Sequence, residues 1–165
     1  HLKGDINGDG KVNTADVGRA NAHAKKTNLL SGYELACADI NGDGKVCDGV
    51  GMQSHLSVDD PHVIKYITAM KKFLEAGHEV HITELDVGNS NDIYQAQYCY
   101  DIMKKILELK KEGAAINGIT WWGVADTNSW RPGEKALMFK TIKTPKASYY
   151  KVLEAYVDAG LYTEE

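Results

Sequence analysis

The feature that most restricts this chain is a regular exchange of two hydrophobic periods over most of its length. Between roughly residues 47 and 160, short apolar runs alternate with long stretches whose apolar residues return every three or four positions. "DGVGMQSHL" opens as a strand. "DDPHVIKYITAMKKFLEAG" follows, with Val63, Ile64, Ile67, Met70 and Leu74 at helical spacing, an Asp as N-cap, Pro61 in the first turn and a stop at Gly77. "EVHITELD" is a second strand, "NDIYQAQYCYDIMKKILELKKEG" a second helix, "INGITWWG" a third strand, and 146–159 a last helix. The order β-α-β-α-β-α predicts an α/β fold, a parallel sheet joined by crossover helices.

The first 46 residues have another character, rich in Asp, Asn and Gly with one short helical stretch at 14–26. "DINGDGKV" stands at Asp5–Val12 and again, letter for letter, at Asp39–Val46. With Asp5 as position one, Asn7 is third, Asp9 fifth, Gly10 sixth, Lys11 seventh, Asn13 ninth and Asp16 twelfth. This spacing curls alternate oxygens around one centre, and a Gly at position six permits the sharp turn, as a hard cation such as Ca²⁺ requires. Asp5, Asn7, Asp9, the Lys11 carbonyl, Asn13 and Asp16 are thus expected calcium ligands; the alternative is a pair of metal-free turns. The second copy keeps Asp39, Asn41, Asp43 and the Lys45 carbonyl. It then places Cys47 and Val50 where two further oxygens belong, leaving a partial shell.

Composition narrows the function classes. With 43% apolar and 25% charged residues the chain is globular rather than disordered. A net charge of −4 offers no footprint for nucleic acid or an anionic membrane. No apolar run reaches the roughly 20 residues of a membrane helix. The chain opens at His1 without a signal peptide, which reads as a processed chain or a fragment. Cys37, Cys47 and Cys99 are odd in number and lack metal-type spacing, so they read as small apolar residues.

Chemistry gathers at three strand ends: Gln53 and His55 on the first, Glu84 and Asp86 on the second, and Trp121, Trp122 and Trp130 on and after the third. In parallel α/β sheets the active face lies at the carboxyl ends of strands. Glu84 and Asp86, two apart, leave the same face of a strand, and His55 from the strand before is placed to bridge them and keep Glu84 ionised and aimed. Taken singly, each group has a plain structural reading: a satisfied His, solvated carboxylates, core Trp. Together they match sugar chemistry, in which carboxylates act at the anomeric carbon and flat aromatic rings stack on sugar rings.

Two resemblances follow from these residues. The two loops, with the first running into a helix, resemble a type I-like dockerin, a calcium module that plugs secreted enzymes into the cohesins of a cellulosome. That implies calcium, a cohesin partner contacted near Thr14 and Ala15, and an extracellular setting; the second dockerin helix is missing. "DGVGMQSHL", "VHITELDV" and "ITWWGVADTNSWR" resemble the last three strands of family-ten glycoside hydrolases, the endo-1,4-β-xylanases. That implies a partial (β/α)₈ (TIM) barrel, its last three β/α units, acting on xylan by retaining hydrolysis. By this resemblance Glu84 is the nucleophile, held by His55 and Asp86. Gln53, Trp122 and Trp130 shape the sugar subsites, and 126–135 covers the cleft with Arg131 available to sugar hydroxyls. The family's acid/base Glu follows an Asn, and the chain contains no Asn-Glu pair. The expected organisation is a calcium module over 1–46 and a barrel portion over 47–165, with little turnover by the chain alone and self-association through open sheet edges. The rival expectations are a non-enzymatic cohesin-binding protein that carries a barrel remnant, and a small α/β domain completed by another chain.

Overall fold

A computed structural model describes residues 4–24, 49–89 and 91–161. The second loop with Asp39, Asn41, Asp43 and Lys45, and the cysteines at 37 and 47, lie outside the described residues. The chain divides into two compact units, and the break falls between Val50 and Gly51.

In the first unit a loop leads into α1 (Thr14–Ala24). Asn13 starts the helix, since its side-chain Oδ1 accepts from the Ala15 N–H at 2.8 Å, and Asp16 places a carboxylate in the first turn, where the helix dipole favours it. Asp5 and Asp16 are buried, whereas Asn7, Asp9, Lys11 and Asn13 are exposed.

From there the described chain runs β1 (Gly49–Met52), β2 (His55–Ser57), α2 (Val63–Glu75), β3 (Glu79–Gly88), α3 (Asp92–Lys111), β4 (Ile116–Trp121), a 3₁₀ turn at Asp126–Asn128, the hairpin β5 (Phe139–Thr141) and β6 (Thr144–Pro145), and α4 (Ala147–Asp158). β3 is the hub of the sheet: β2 and β4 both pair with it in parallel, and β1 is also its neighbour. α2 and α3 are therefore crossover helices between parallel strands, as the alternating periods predict.

The core lies between sheet and helices. Met70 from α2, Val80, Ile82, Leu85 and Val87 from β3, and Ile102, Met103 and Ile106 from α3 are almost fully enclosed, and Val152 and Ala155 of α4 close the layer. Burying side chains of this size contributes about 1.5–3 kcal/mol each. α3 starts cleanly because the Asn91 side chain accepts from Ile93 N–H at 3.0 Å and Tyr94 N–H at 3.4 Å.

Two sequence expectations are corrected, and one element was not foreseen. α2 begins at Val63 with His62 as an uncapped N-cap, not with an Asp cap and Pro61 in its first turn. The residue before a proline is pushed out of the helical region, and Ser57 and Asp60 exchange backbone hydrogen bonds in a closed turn instead. Ile64 is 80% exposed while Tyr66 is buried, because the inward stripe of α2 is set by Tyr66, Ile67 and Met70. The β5–β6 hairpin carries too short an apolar pattern to be read beforehand.

Candidate active site

The site is built from the carboxyl end of β3. Val80 and Ile82 are buried, and so are Leu85 and Val87: two even positions, then two odd ones. The register with β4 shifts between Ile82 and Leu85, so the alternation inverts across Thr83 and Glu84. A bulge of this kind re-aims side chains. Without it, Glu84 and Asp86 would follow Val80 and Ile82 into the helix-covered core. With it, they leave on the opposite face.

β2 supplies the partner. His55 lies opposite Asp86 in the parallel register. The backbone is broken just before it, at Ser54, which adopts φ 67°. The Ser54 hydroxyl holds this break through Met52 O at 3.2 Å and the Tyr66 hydroxyl at 2.6 Å. Burial of Tyr66 raises its phenol pKa above the ordinary value, although the Ser54 hydrogen bond opposes the shift, so this tie persists as a neutral O–H contact.

His55 stands between the two carboxylates. Its Nδ1 lies 3.1 Å from Asp86 Oδ2 and its Nε2 3.2 Å from Glu84 Oε2. An imidazolium donates to both; a neutral ring donates to one and accepts from none, because a carboxylate has no proton to give. Asp86 is wholly enclosed and receives two further donors: Trp130 Nε1–H reaches Oδ2 at 2.8 Å, and Arg131 Nη1 reaches Oδ1 at 2.6 Å. Arg131 also donates from Nη1 to the Leu56 carbonyl at 3.0 Å and from Nη2 to Glu134. Gly88 makes room for this, since a Cβ there would collide with the Arg131–Glu134 pair.

Glu84 keeps about a fifth of its side chain exposed and has His55 as its hydrogen-bonding partner. Trp130 stands edge-on to His55 at 4.8 Å between ring centres, and Trp122 at 6.4 Å. The two indoles remain 46% (Trp122) and 58% (Trp130) exposed, presenting flat apolar surface beside His55. Gln53, in the break between β1 and β2, is exposed. A cavity of about 590 Å³ lined by Asn89, Tyr94, Gln97 and Tyr98 lies elsewhere and does not include Glu84.

The structure thus brings together Glu84, His55, Asp86, Trp122, Trp130 and Arg131. Arg131 donates to Asp86, Leu56 and Glu134, so it also supports the buried carboxylate, beyond the expected availability to sugar hydroxyls. Glu134 and Gly88 were missed. Their part depends on where the 126–137 loop returns, which no local sequence signal encodes.

In the first unit the described carboxylates are satisfied by their own loop. Asp5 Oδ1 accepts from Gly8 and Asp9 N–H at 2.8 and 3.0 Å, and Oδ2 from Gly10 N–H at 2.9 Å. Asp16 accepts from Ile6, Asn7 and Asn13 N–H at 2.8, 3.1 and 2.8 Å. The Asn13 N–H above all, then those of Asn7 and Ile6, hold the Asp16 carboxyl below its ordinary pKa, against the opposing cost of desolvation. Among the described residues no group of three or more His, Cys, Asp or Glu side chains converges as a metal cluster.

Comparison with known proteins identifies the family. Residues 15–155 match glycosyl hydrolase family 10, and the chain belongs to that family. The match begins inside the segment whose repeats read as a calcium module. Endo-1,4-beta-xylanase A of Butyrivibrio fibrisolvens is 44% identical over 119 residues, which is 72% of this chain and 29% of that protein. The crystal structure of a GH10 xylanase containing a bacterial Ig-like domain, from termite gut, superposes with a TM-score of 0.60 at 27% identity over 68% of this chain and 30% of that one. Xylanase 10B from Thermotoga petrophila RKU-1, solved in complex with xylobiose, gives a TM-score of 0.57 at 24% identity over 90% and 43%. The chain therefore spans under a third of the first relative's length, and its α/β fold corresponds to part of the (β/α)₈ barrel of family-10 xylanases.

Proposed function

We propose that this chain carries the nucleophile half of a retaining endo-1,4-β-xylanase active site. The observation that supports it is the placement of Glu84: its carboxylate is tied through His55 to a fully enclosed Asp86, and the same imidazole meets two half-exposed tryptophans edge-on. In this reading xylan stacks on Trp122 and Trp130, with Gln53 at the rim. Glu84 attacks the anomeric carbon, a glycosyl ester forms as the leaving oxygen departs, and water later releases the sugar with net retention. His55 donates to Glu84 and turns one oxygen outward. Asp86 fixes the ring of His55, while Arg131 and Trp130 fix Asp86.

Retaining hydrolysis also needs a carboxylic acid about 5–5.5 Å from the nucleophile to protonate the leaving oxygen. The family's Asn-Glu pair is not in this sequence, so xylan turnover by this chain alone is expected to be small. A substrate with a good leaving group needs no acid. The test is incubation with an aryl 2-deoxy-2-fluoro-xylobioside, which reacts with the nucleophile and stalls, followed by peptide mass mapping. The glycosyl adduct is expected on Glu84 and lost in Glu84→Gln; an adduct on another residue, or none, overturns the assignment.

A second reading concerns the first unit. The oxygen-rich chemistry of Asp5, Asn7, Asp9, the Lys11 carbonyl, Asn13 and Asp16 suits a hard cation, and both end carboxylates are already buried in one curled loop. We propose that these residues hold calcium, which would supply rigidity to the loop, and that exposed Thr14 and Ala15 belong to a cohesin-facing surface of a secreted, cellulosome-type protein. Calorimetric titration with Ca²⁺ tests it: heat is expected from the chain and little from an Asp5→Ala/Asp9→Ala variant, and equal heats reject it.

A further inference from the structure

Trp130 and Arg131 reach Asp86 from a loop that begins at Asp126 and returns to β3 near Leu137. The return is fixed to the end of β3, where Val87 N–H donates to Ala136 O at 3.0 Å and Asn89 N–H to Glu134 O at 2.9 Å. Behind the loop, immediately before α4, stands Lys146, a cation whose side chain has no exposed surface. Its Nζ donates to the Asp126 carboxylate at 3.1 Å and to the Lys135 carbonyl at 2.6 Å. One ammonium therefore joins the first residue of the loop to its last turn. Asp126 uses its other oxygen to accept from Leu137 N–H at 3.0 Å, closing the same loop a second time.

Lys135 needs such an anchor. It is a non-glycine residue at φ 48°, a conformation that side chains disfavour and surrounding contacts must impose. Its carbonyl accepts a second donor, the Gln95 side-chain amide at 2.7 Å, and that amide also donates to Val87 O at 2.7 Å on β3. Gln95 is buried on α3. Two buried side chains, one on α3 and one just before α4, thus converge on one loop carbonyl, and the first ties that carbonyl to the strand carrying Asp86. A buried ammonium is retained only where acceptors surround it; here they are Asp126 and the Lys135 carbonyl, with Asp92 Oδ1 at 3.9 Å.

We infer that Lys146, with Gln95, is a positioning residue: it clamps both ends of the 126–137 loop and so holds Trp130 and Arg131 on the carboxylate that orients His55 and Glu84. Its link to the reaction rests on the xylanase reading above, whereas the clamp itself does not. The chain has three indole N–H groups, and Trp130's donates to Asp86.

Hydrogen exchange of the three indoles in the ¹⁵N-labelled chain tests the clamp, in Lys146→Met and in Asp126→Asn, which keeps size but removes the charge facing the ammonium. Trp130 is expected to exchange about tenfold faster in a folded variant, as for a lost hydrogen bond, with Trp121 and Trp122 unchanged. Equal Trp130 exchange in both variants overturns the inference. So does a joint change of all three indoles, or failure of both variants to fold, since either places Lys146 in general stability. Xylobiose titration of the unaltered chain separates the two claims: faster Trp130 exchange without xylobiose binding keeps the clamp and removes the substrate reading.

Discussion

Asp16 and Asp86 are both buried carboxylates, and they are satisfied in opposite ways. Asp16 takes backbone N–H groups from Ile6, Asn7 and Asn13, at most 10 residues away. Asp86 is held by side chains, His55, Trp130 and Arg131, at separations of 31, 44 and 45 residues. The first arrangement is a property of a short loop and needs only the right spacing. The second exists only once a strand, a bulge and a returning loop are in place. A local carboxylate can be removed with local damage, whereas a long-range one takes several partners with it.

The largest expected effect follows from that. Asp86→Ala leaves a guanidinium, an indole N–H and an imidazole without their shared acceptor, and should lower the stability of the second unit by about 3 kcal/mol. Urea unfolding followed by tryptophan fluorescence reads that unit alone, because all three tryptophans lie between 121 and 130. A loss under about 1 kcal/mol would break the comparison. Gly88→Ala should come next, at about 1–2 kcal/mol by the same measurement, because its Cβ meets the Arg131–Glu134 pair.

In the first unit, Gly10 has φ 80° and open space around its Cα, so Gly10→Ala costs backbone strain without a clash. A loss of about 1 kcal/mol is expected, visible in amide exchange of 5–16 and silent in the tryptophan transition. A shift of that transition would show that the local loop is not local. The smallest effect sharpens the contrast from the other side. Lys105 and Glu108 form an exposed pair at 2.7 Å, and Lys105→Ala should change the unfolding free energy from urea by no more than about 0.5 kcal/mol.

The residue that defines the proposed chemistry should cost little stability. Glu84 is partly solvated and touches the site through His55, so Glu84→Gln should abolish the glycosyl adduct while leaving the urea midpoint close to that of the unaltered chain. A large stability loss would mean that Glu84 is structural, as Asp86 is.

Much of this was legible in advance. The 3.6- and 2-residue periods mark α2, β3, α3 and β4, and the polar strand ends mark Glu84, Asp86, His55 and the tryptophans, because those signals are carried by neighbours in sequence. Ile64 was misread because a stripe of apolar letters does not say which edge of it meets the sheet. The inversion across Thr83 and Glu84 was also invisible, since nothing in "HITELD" distinguishes a bulged strand from a regular one.

What the sequence determined alone is the set of local patterns: the Asp/Asn/Gly loop with its ligand-like spacing, the helical stretch that follows it, and the strand–helix alternation. Each rests on groups within about ten residues, where spacing and side-chain chemistry are enough. What only the tertiary structure decided is the direction of Glu84, the commitment of Arg131 to Asp86, and the clamp of Lys146 and Gln95 on a loop carbonyl. These depend on one strand's register shift and on where a loop returns after more than 40 residues, which the packing of the whole unit sets.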